Sequence, residues 1–153
     1  MKFPLMRNNI LNTDLSPVIS LLQEKDPRLT SGPKVREFEE KWSQWLGVKY
    51  SVFVNSGSSA NLLCIALLKE KFPNGGDIIV PPFTWSSDIS SIMWMGFNPV
   101  FIDVTLPSLA LNTDLVINEL EKNKRIKAIF LTHAQGINGL DKKLIDYIEK
   151  NNI

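Results

Sequence analysis

The stretches "DIIVP" (77–81), "PVFIDV" (99–104) and "IKAIFLTH" (126–133) are short, continuous apolar runs. About a dozen or more residues of helical pattern separate each from the next, the length a crossover between parallel strands requires. This alternation constrains the fold more than any other feature of the chain. A run without polar alternation reads as a strand covered on both faces, and helices between such strands make the sheet parallel. "YSVFV" (50–54), rich in β-branched and aromatic residues, reads as a further strand ahead of the three, which makes "IKAIFLTH" the fourth. The expected architecture is α/β: three layers, αβα, with a mostly parallel sheet.

The intervening segments carry the expected helices: "SANLLCIALLKEKF" (59–72), "WSSDISSIMWMG" (85–96, ended by Gly96), "NTDLVINELEKN" (112–123, capped by Asn112 or Thr113) and "LDKKLIDYIEKN" (140–151). Upstream, Asp14 is the expected cap of a helix running through Glu24, with Pro17 near its first turn. "DPRLTSGP" (26–33) reads as a loop. From 34 to 46, Val35, Phe38, Trp42, Trp45 and Leu46 recur at spacings of three and four, which predicts an amphipathic helix terminated by Gly47.

Charge narrows the function classes. Seventeen basic and 16 acidic residues leave a net charge of +1, mixed along the chain, which argues against nucleic acid or an anionic membrane surface as a partner. The single cysteine, Cys64, excludes an internal disulfide and any cysteine-rich zinc site, and within an aliphatic helix it reads as packing. No apolar run approaches the roughly 20 residues that span a bilayer, and residues 1–12 lack the apolar stretch of a signal peptide. The expectation is a soluble, cytoplasmic protein.

The chemistry concentrates at strand ends. In open α/β sheets, ligands sit where strand C-termini meet helix N-termini. In "FVNSGSSANLL" (53–63) a small polar turn joins an apolar run to a helix, and the unpaired amides there suit an anion. Gly57 admits close approach of a ligand to the backbone, while the hydroxyls of Ser58 and Ser59 add donors. An ordinary serine cap that binds nothing accounts for the same residues equally well. The turn is neither a Walker loop nor a dinucleotide fingerprint. One strand later, "VPPFTWSSD" (80–88) puts Thr84 and Trp85 on the same sheet edge, where an indole can stack on a flat ring or else pack into a core.

Taken together, "TSGPKVREFEEKWSQWLGVKYSVFVNSGSSANLL", "DIIVPPFTWSSD", "GFNPVFIDV" and "LTHAQGINGL" resemble the N-terminal part of the DegT/DnrJ/EryC1/StrS family, over nearly the whole chain. These are pyridoxal-phosphate enzymes of fold type I that act on nucleotide-linked keto sugars. The resemblance implies a helical segment over 1–48, followed over 49–153 by part of the cofactor-binding large domain. It implies pyridoxal 5'-phosphate as cofactor, with Gly57 and Ser58 cradling the phosphate, Ser59 a weaker candidate, and Trp85 stacking on the pyridine ring. Thr30, Ser31 and Gly32 resemble a loop that shapes the sugar site, and Gln135 and Asn138 are candidate sugar contacts. Asp103 and the only histidine, His133, take structural parts in this reading, with a general base the tempting alternative for His133.

Family members continue into an aspartate that pairs with the pyridine nitrogen and a lysine that anchors the cofactor, and neither motif occurs here. Lys49, Lys69 and Lys127 stand in the wrong context to replace that lysine, so no catalytic residue is assigned. The expected chain is thus the N-terminal part of a sugar aminotransferase, with a nucleotide-linked keto sugar and an amino donor such as glutamate as partners and a homodimer as the full-length state. The alternatives are a nucleotide-sugar 3-dehydratase of the same family, towards which "GSSANLL" and the Trp85–Ser86 pair lean, and a non-catalytic truncated fragment.

Overall fold

The computed structural model describes residues 9–151, which divide between Phe53 and Val54 into two units. The first holds two helices, α1 (Asn12–Leu22) and α2 (Pro33–Leu46). Helix α1 starts earlier than expected, and Asp14 is not its cap. Asp14 lies in the first turn, where its carboxylate reaches back to accept the Leu11 N–H at 2.8 Å, next to the positive end of the helix dipole. Pro17 falls in the second turn, so the Thr13 carbonyl loses its usual donor. Helix α2 follows the expected bounds closely: Pro33 opens it, and Gly47 closes it in the left-handed conformation at φ 73°.

The strand expected over 50–54 is absent. A strand exists only where a neighbour completes its hydrogen-bond ladder, and the described residues of the first unit have none to offer. Side chains of α2 hold this segment instead. The buried Ser43 hydroxyl donates to Ser51 Oγ at 2.9 Å, and the Phe53 N–H donates to Glu39 Oε1 at 2.8 Å. Phe53 also meets Phe38 edge-on, with ring centroids 5.3 Å apart, and Phe38 stacks on Trp42.

The second unit contains helices α3 (Gly57–Lys71), α4 (Ser86–Trp94), α5 (Thr113–Lys122) and α6 (Lys142–Asn151) and strands β1 (Asp77–Val80), β2 (Asn98–Phe101) and β3 (Ile126–Ile129). Only three strands form among the described residues, all parallel, in the order β2-β1-β3. The third apolar run is therefore β3, and both β2 and β3 end earlier than their apolar runs. Their length is set by β1, which has four residues to pair with; single bonds beyond it, Ile102 N–H to Val80 O and Phe130 N–H to Ile79 O, finish the ladder.

Strand alternation sorts the core into two layers. Ile78 and Val80 pack with Ile65 of α3, Ile92 of α4 and Phe97 on one face. Ile79 points the other way, to Val116 and Leu120 of α5 and Leu144 of α6. Each fully buried aliphatic side chain of this kind contributes roughly 1.5–3 kcal/mol, so the central strand alone anchors both layers. The result is the expected αβα arrangement around a small parallel sheet.

Candidate functional site

Strand β1 sends its connection to α4 on one face, whereas the neighbouring β3 leads to α6 on the other. Two adjacent strands whose connections part in this way leave a crevice at their C-terminal ends. A cleft of about 300 Å³ lies there, lined by Phe83, Thr84, Trp85, Thr132, His133, Ala134 and Gln135. Trp85 and Gln135, both singled out in the sequence, line it together. The Trp85 indole is 78% exposed, so it is not a core residue.

Helix α3 begins two residues before its expected start because Ser56, not a later serine, caps it. Ser56 Oγ accepts the Ser59 N–H at 3.2 Å. Gly57 and Ser58 are thereby the first two helical residues, whose amides have no carbonyl one turn back and find no acceptor among the described residues. Beyond the neighbouring backbone of the helix itself, nothing among the described residues lies within 4 Å of where a Cβ on Gly57 would stand, so this end of the helix is open. Ser58 is exposed and its hydroxyl uncommitted among the described residues, but Ser59 Oγ is turned inward to Asn55 Oδ1 at 2.7 Å. An anion at this turn meets two backbone amides and one serine hydroxyl, at the positive end of a 15-residue helix.

His133 accepts the Gly139 N–H on Nδ1 at 3.0 Å, which closes the loop from 133 to 139. That bond uses the Nδ1 lone pair, so the ring carries its proton on Nε2 as a donor. Between them, Gln135 adopts φ 55° and ψ 24°, a left-handed conformation that costs a non-glycine residue roughly 1 kcal/mol or more. Asn138 does not line the cleft; its side-chain carbonyl accepts the Leu140 N–H at 3.1 Å. Asp103 lies just beyond β2 and accepts the Val104 N–H at 2.8 Å. Thr30 and Gly32 belong to the first unit, where Thr30 is exposed and Gly32 is the residue before Pro33, packed against the Arg28 side chain.

Three residues of this region went unnoticed in the sequence: Asn61, Asp88 and Thr132. Asp88 is 5% exposed and accepts from Asn61 Nδ2 at 2.5 Å and from the Thr84 hydroxyl, which in turn lies 2.6 Å from Thr132 Oγ1. An acidic residue in the first turn of the helix after "FTW" was the available signal. At the opposite end of the sheet, Lys69 and Lys127 lie over the rings of Phe97 and Phe72. Lys69 is 12 residues along α3 from Gly57, about 18 Å at 1.5 Å per residue.

The sequence pattern of the DegT/DnrJ/EryC1/StrS aminotransferase family matches residues 11–151. A GDP-4-keto-6-deoxy-D-mannose 3-dehydratase of Yersinia pseudotuberculosis is 34% identical over 134 residues, which cover 84% of this chain and 34% of that protein. A UDP-4-amino-4-deoxy-L-arabinose–oxoglutarate aminotransferase of Shewanella sediminis is 32% identical over 133 residues, covering 87% and 33%. Among solved structures, the Escherichia coli GDP-4-keto-6-deoxy-D-mannose-3-dehydratase with bound hydrated PLP superposes with a TM-score of 0.85 at 28% identity, over 99% of this chain and 39% of that one. The chain spans about a third of the length of the curated relatives it matches. With nearly all of its described residues inside the matched region, the chain belongs to the DegT/DnrJ/EryC1/StrS aminotransferase family.

Proposed function

We propose that this chain is the cofactor-phosphate-binding part of a pyridoxal-phosphate-dependent sugar aminotransferase that acts on a nucleotide-linked keto sugar. The observation that carries the reading is the open first turn of α3, with the unpaired amides of Gly57 and Ser58, in a unit whose strand-end cleft exposes Trp85. These residues fit the cofactor's two ends. The amides and the Ser58 hydroxyl hold the phosphate, and the Trp85 indole offers a flat apolar face to the pyridine ring. Bound there, the cofactor supplies an electron sink that stabilises negative charge on carbon next to nitrogen. His133 contributes an Nε2–H donor to the wall of the cleft, and Gln135 adds an amide, both directed to polar groups of a sugar. The amino donor in this reading is glutamate or a similar amino acid, and the intact enzyme works as a homodimer in the cytoplasm.

Nucleotide-sugar 3-dehydration is the second reading, favoured by the 34% identity to the Yersinia enzyme and the 0.85 superposition on the Escherichia coli one. Product analysis of the intact enzyme, incubated with pyridoxal phosphate, glutamate and a nucleotide-linked 4-keto-6-deoxy sugar, separates the two: an amino sugar supports transfer, and a sugar lacking its C3 hydroxyl supports dehydration.

Binding tests what the two readings share. Equilibrium dialysis should show pyridoxal phosphate held at least tenfold more tightly than pyridoxal, which lacks the phosphate. Gly57→Asp should remove that preference, since the carboxylate favours the helix N-terminus yet repels a phosphate, and there is room for it. Equal affinity for the two aldehydes in the unaltered chain would refute the phosphate site.

A further inference from the structure

Asp88 is a buried carboxylate for which the proposed chemistry has no use. It is 5% exposed, and among the described residues no lysine, arginine or histidine pairs with it. Its partners are neutral donors. Asn61 Nδ2 donates to Oδ1 at 2.5 Å, the Thr84 hydroxyl donates to Oδ2, and Ser87 Oγ adds a long contact at 3.4 Å. Burying an unpaired charge is costly, so a carboxylate held by three neutral groups calls for a role beyond packing.

The donors come from separate segments of the site. Asn61 lies one turn into α3, immediately past the Gly57–Ser58 amides; Thr84 ends the loop after β1, and Asp88 stands in the first turn of α4. The network extends to Thr132, in the segment that follows β3. Thr84 has a single hydroxyl hydrogen, and Asp88 takes it, so in the 2.6 Å contact between Thr84 and Thr132 the hydrogen comes from Thr132. Every donor in the chain Thr132, Thr84, Asp88, Asn61 therefore points towards the one carboxylate. Trp85 is held in the middle: its carbonyl accepts the Asp88 N–H at 3.0 Å, and its neighbour Thr84 is bound to the Asp88 side chain.

We propose that Asp88 is a positioning residue, the joint that fixes the phosphate-facing turn of α3, the Trp85 loop and the Thr132 segment after β3 relative to one another. It touches no ligand itself. Its ionised form also orients the hydroxyls: with its hydrogen committed to Thr84, Thr132 presents only lone pairs to the cleft it lines, beside the Nε2–H of His133. The cleft wall then carries one acceptor and one donor side by side.

The inference rests on the proposed phosphate site, and two readouts separate the failure of one from the failure of the other. The first is amide hydrogen exchange at residues 61–64, whose acceptors are the carbonyls of the first turn of α3. Asp88→Ala is expected to speed this exchange about tenfold. Thr132→Val, which leaves no charge unpaired and alters a residue 71 positions from Asn61 in the sequence, is expected to speed it about threefold. Asp88→Asn is expected to stay within about twofold of the unaltered chain, because its carbonyl still accepts from Asn61 while its amide donates to Thr84 and turns the Thr84 hydrogen to Thr132. The second readout is the preference for pyridoxal phosphate over pyridoxal, expected to fall about tenfold in Asp88→Ala and to survive in Asp88→Asn. Unchanged exchange at 61–64 in Asp88→Ala and Thr132→Val would overturn the joint. Faster exchange with an intact preference would overturn its positioning of the site. If Asp88→Ala does not fold, Thr132→Val and Asn61→Ala read the same two quantities, and unaltered values in both overturn the inference. A chain that shows no preference before any substitution overturns the phosphate site, whatever the exchange data show.

Discussion

Replacing Asp77 by asparagine tests how the lower edge of the sheet is held. Asp77 begins β1 and is buried, yet its carboxylate serves three segments at once. Oδ1 accepts from Asn98 Nδ2 at 3.1 Å and Arg125 Nη2 at 3.3 Å, and Oδ2 accepts from Asn123 Nδ2 at 3.0 Å. The starts of β2 and β3 are thereby tied to the start of β1. Asparagine has the same shape but only one acceptor oxygen. With its amide towards Asn98 and Arg125, two donors face a donor. With the amide towards Asn123, that residue must turn over, and it then gives up the Arg125 N–H that its own oxygen accepts at 3.0 Å. The second arrangement is cheaper and still exchanges charged bonds for neutral ones. Bonds to charged groups contribute roughly 1.5–3 kcal/mol each, so the expected loss is about 2–3 kcal/mol. In urea this lowers the unfolding midpoint by about 1 M. The effect also has a pH signature. Burial works to raise the Asp77 pKa, but the amides of Asn123 and Asn98 and the Arg125 guanidinium outweigh it and hold the carboxyl below its ordinary 3.8. A carboxyl lowered in the folded state stabilises fully above 3.8, and that contribution is lost as pH falls through the lower folded value. The difference between the two chains should therefore be constant from pH 7 down to about 4 and shrink below that. Equal midpoints at pH 7, or a difference that grows on acidification, would refute this account.

Two further outcomes follow from the packing and the charges. Ile79→Ala should cost about 2–5 kcal/mol and Ile79→Val about 0.5–1.5 kcal/mol by urea unfolding, because Ile79 is fully buried at the centre of the layer formed with α5 and α6; a loss below 1 kcal/mol for the alanine would refute that core. Glu37 accepts from Lys41 and Lys34 at 2.7 and 3.1 Å, which lower its carboxyl pKa to about 2; an NMR titration should show this value moving towards 4.5 when both lysines become methionine.

The sequence disclosed most where one physical rule acted alone. Apolar runs marked β1, β2 and β3, although only β1 is buried along its whole length while β2 and β3 flank it half-covered, and Gly47 marked the end of α2 because only a left-handed residue closes that turn. It misled where a partner decided. "YSVFV" has every local preference of a strand, but the ladder needs a neighbour, and Ser51 and Phe53 are held by side chains of α2 instead. The start of α3 was hidden among consecutive serines, any of which could cap; Ser56 does so, and Gly57 and Ser58 thus become the exposed first turn. Trp85 was legible as a strand-end residue, whereas Gln135 was named only through the family resemblance. Asp88 was not, since its burial depends on Asn61 and Thr84, 27 and four residues away, and on contacts between α3 and α4 that no spacing announces.

The crevice between β1 and β3 has a consequence for how such a protein can change. The opening comes from the route of the backbone, since one strand departs upwards and its neighbour downwards. The aromatic, imidazole and amide groups around its rim can be exchanged one at a time while the two oily layers beneath keep the molecule folded. New ligands become reachable by altering the furnishing of a room whose walls stay put.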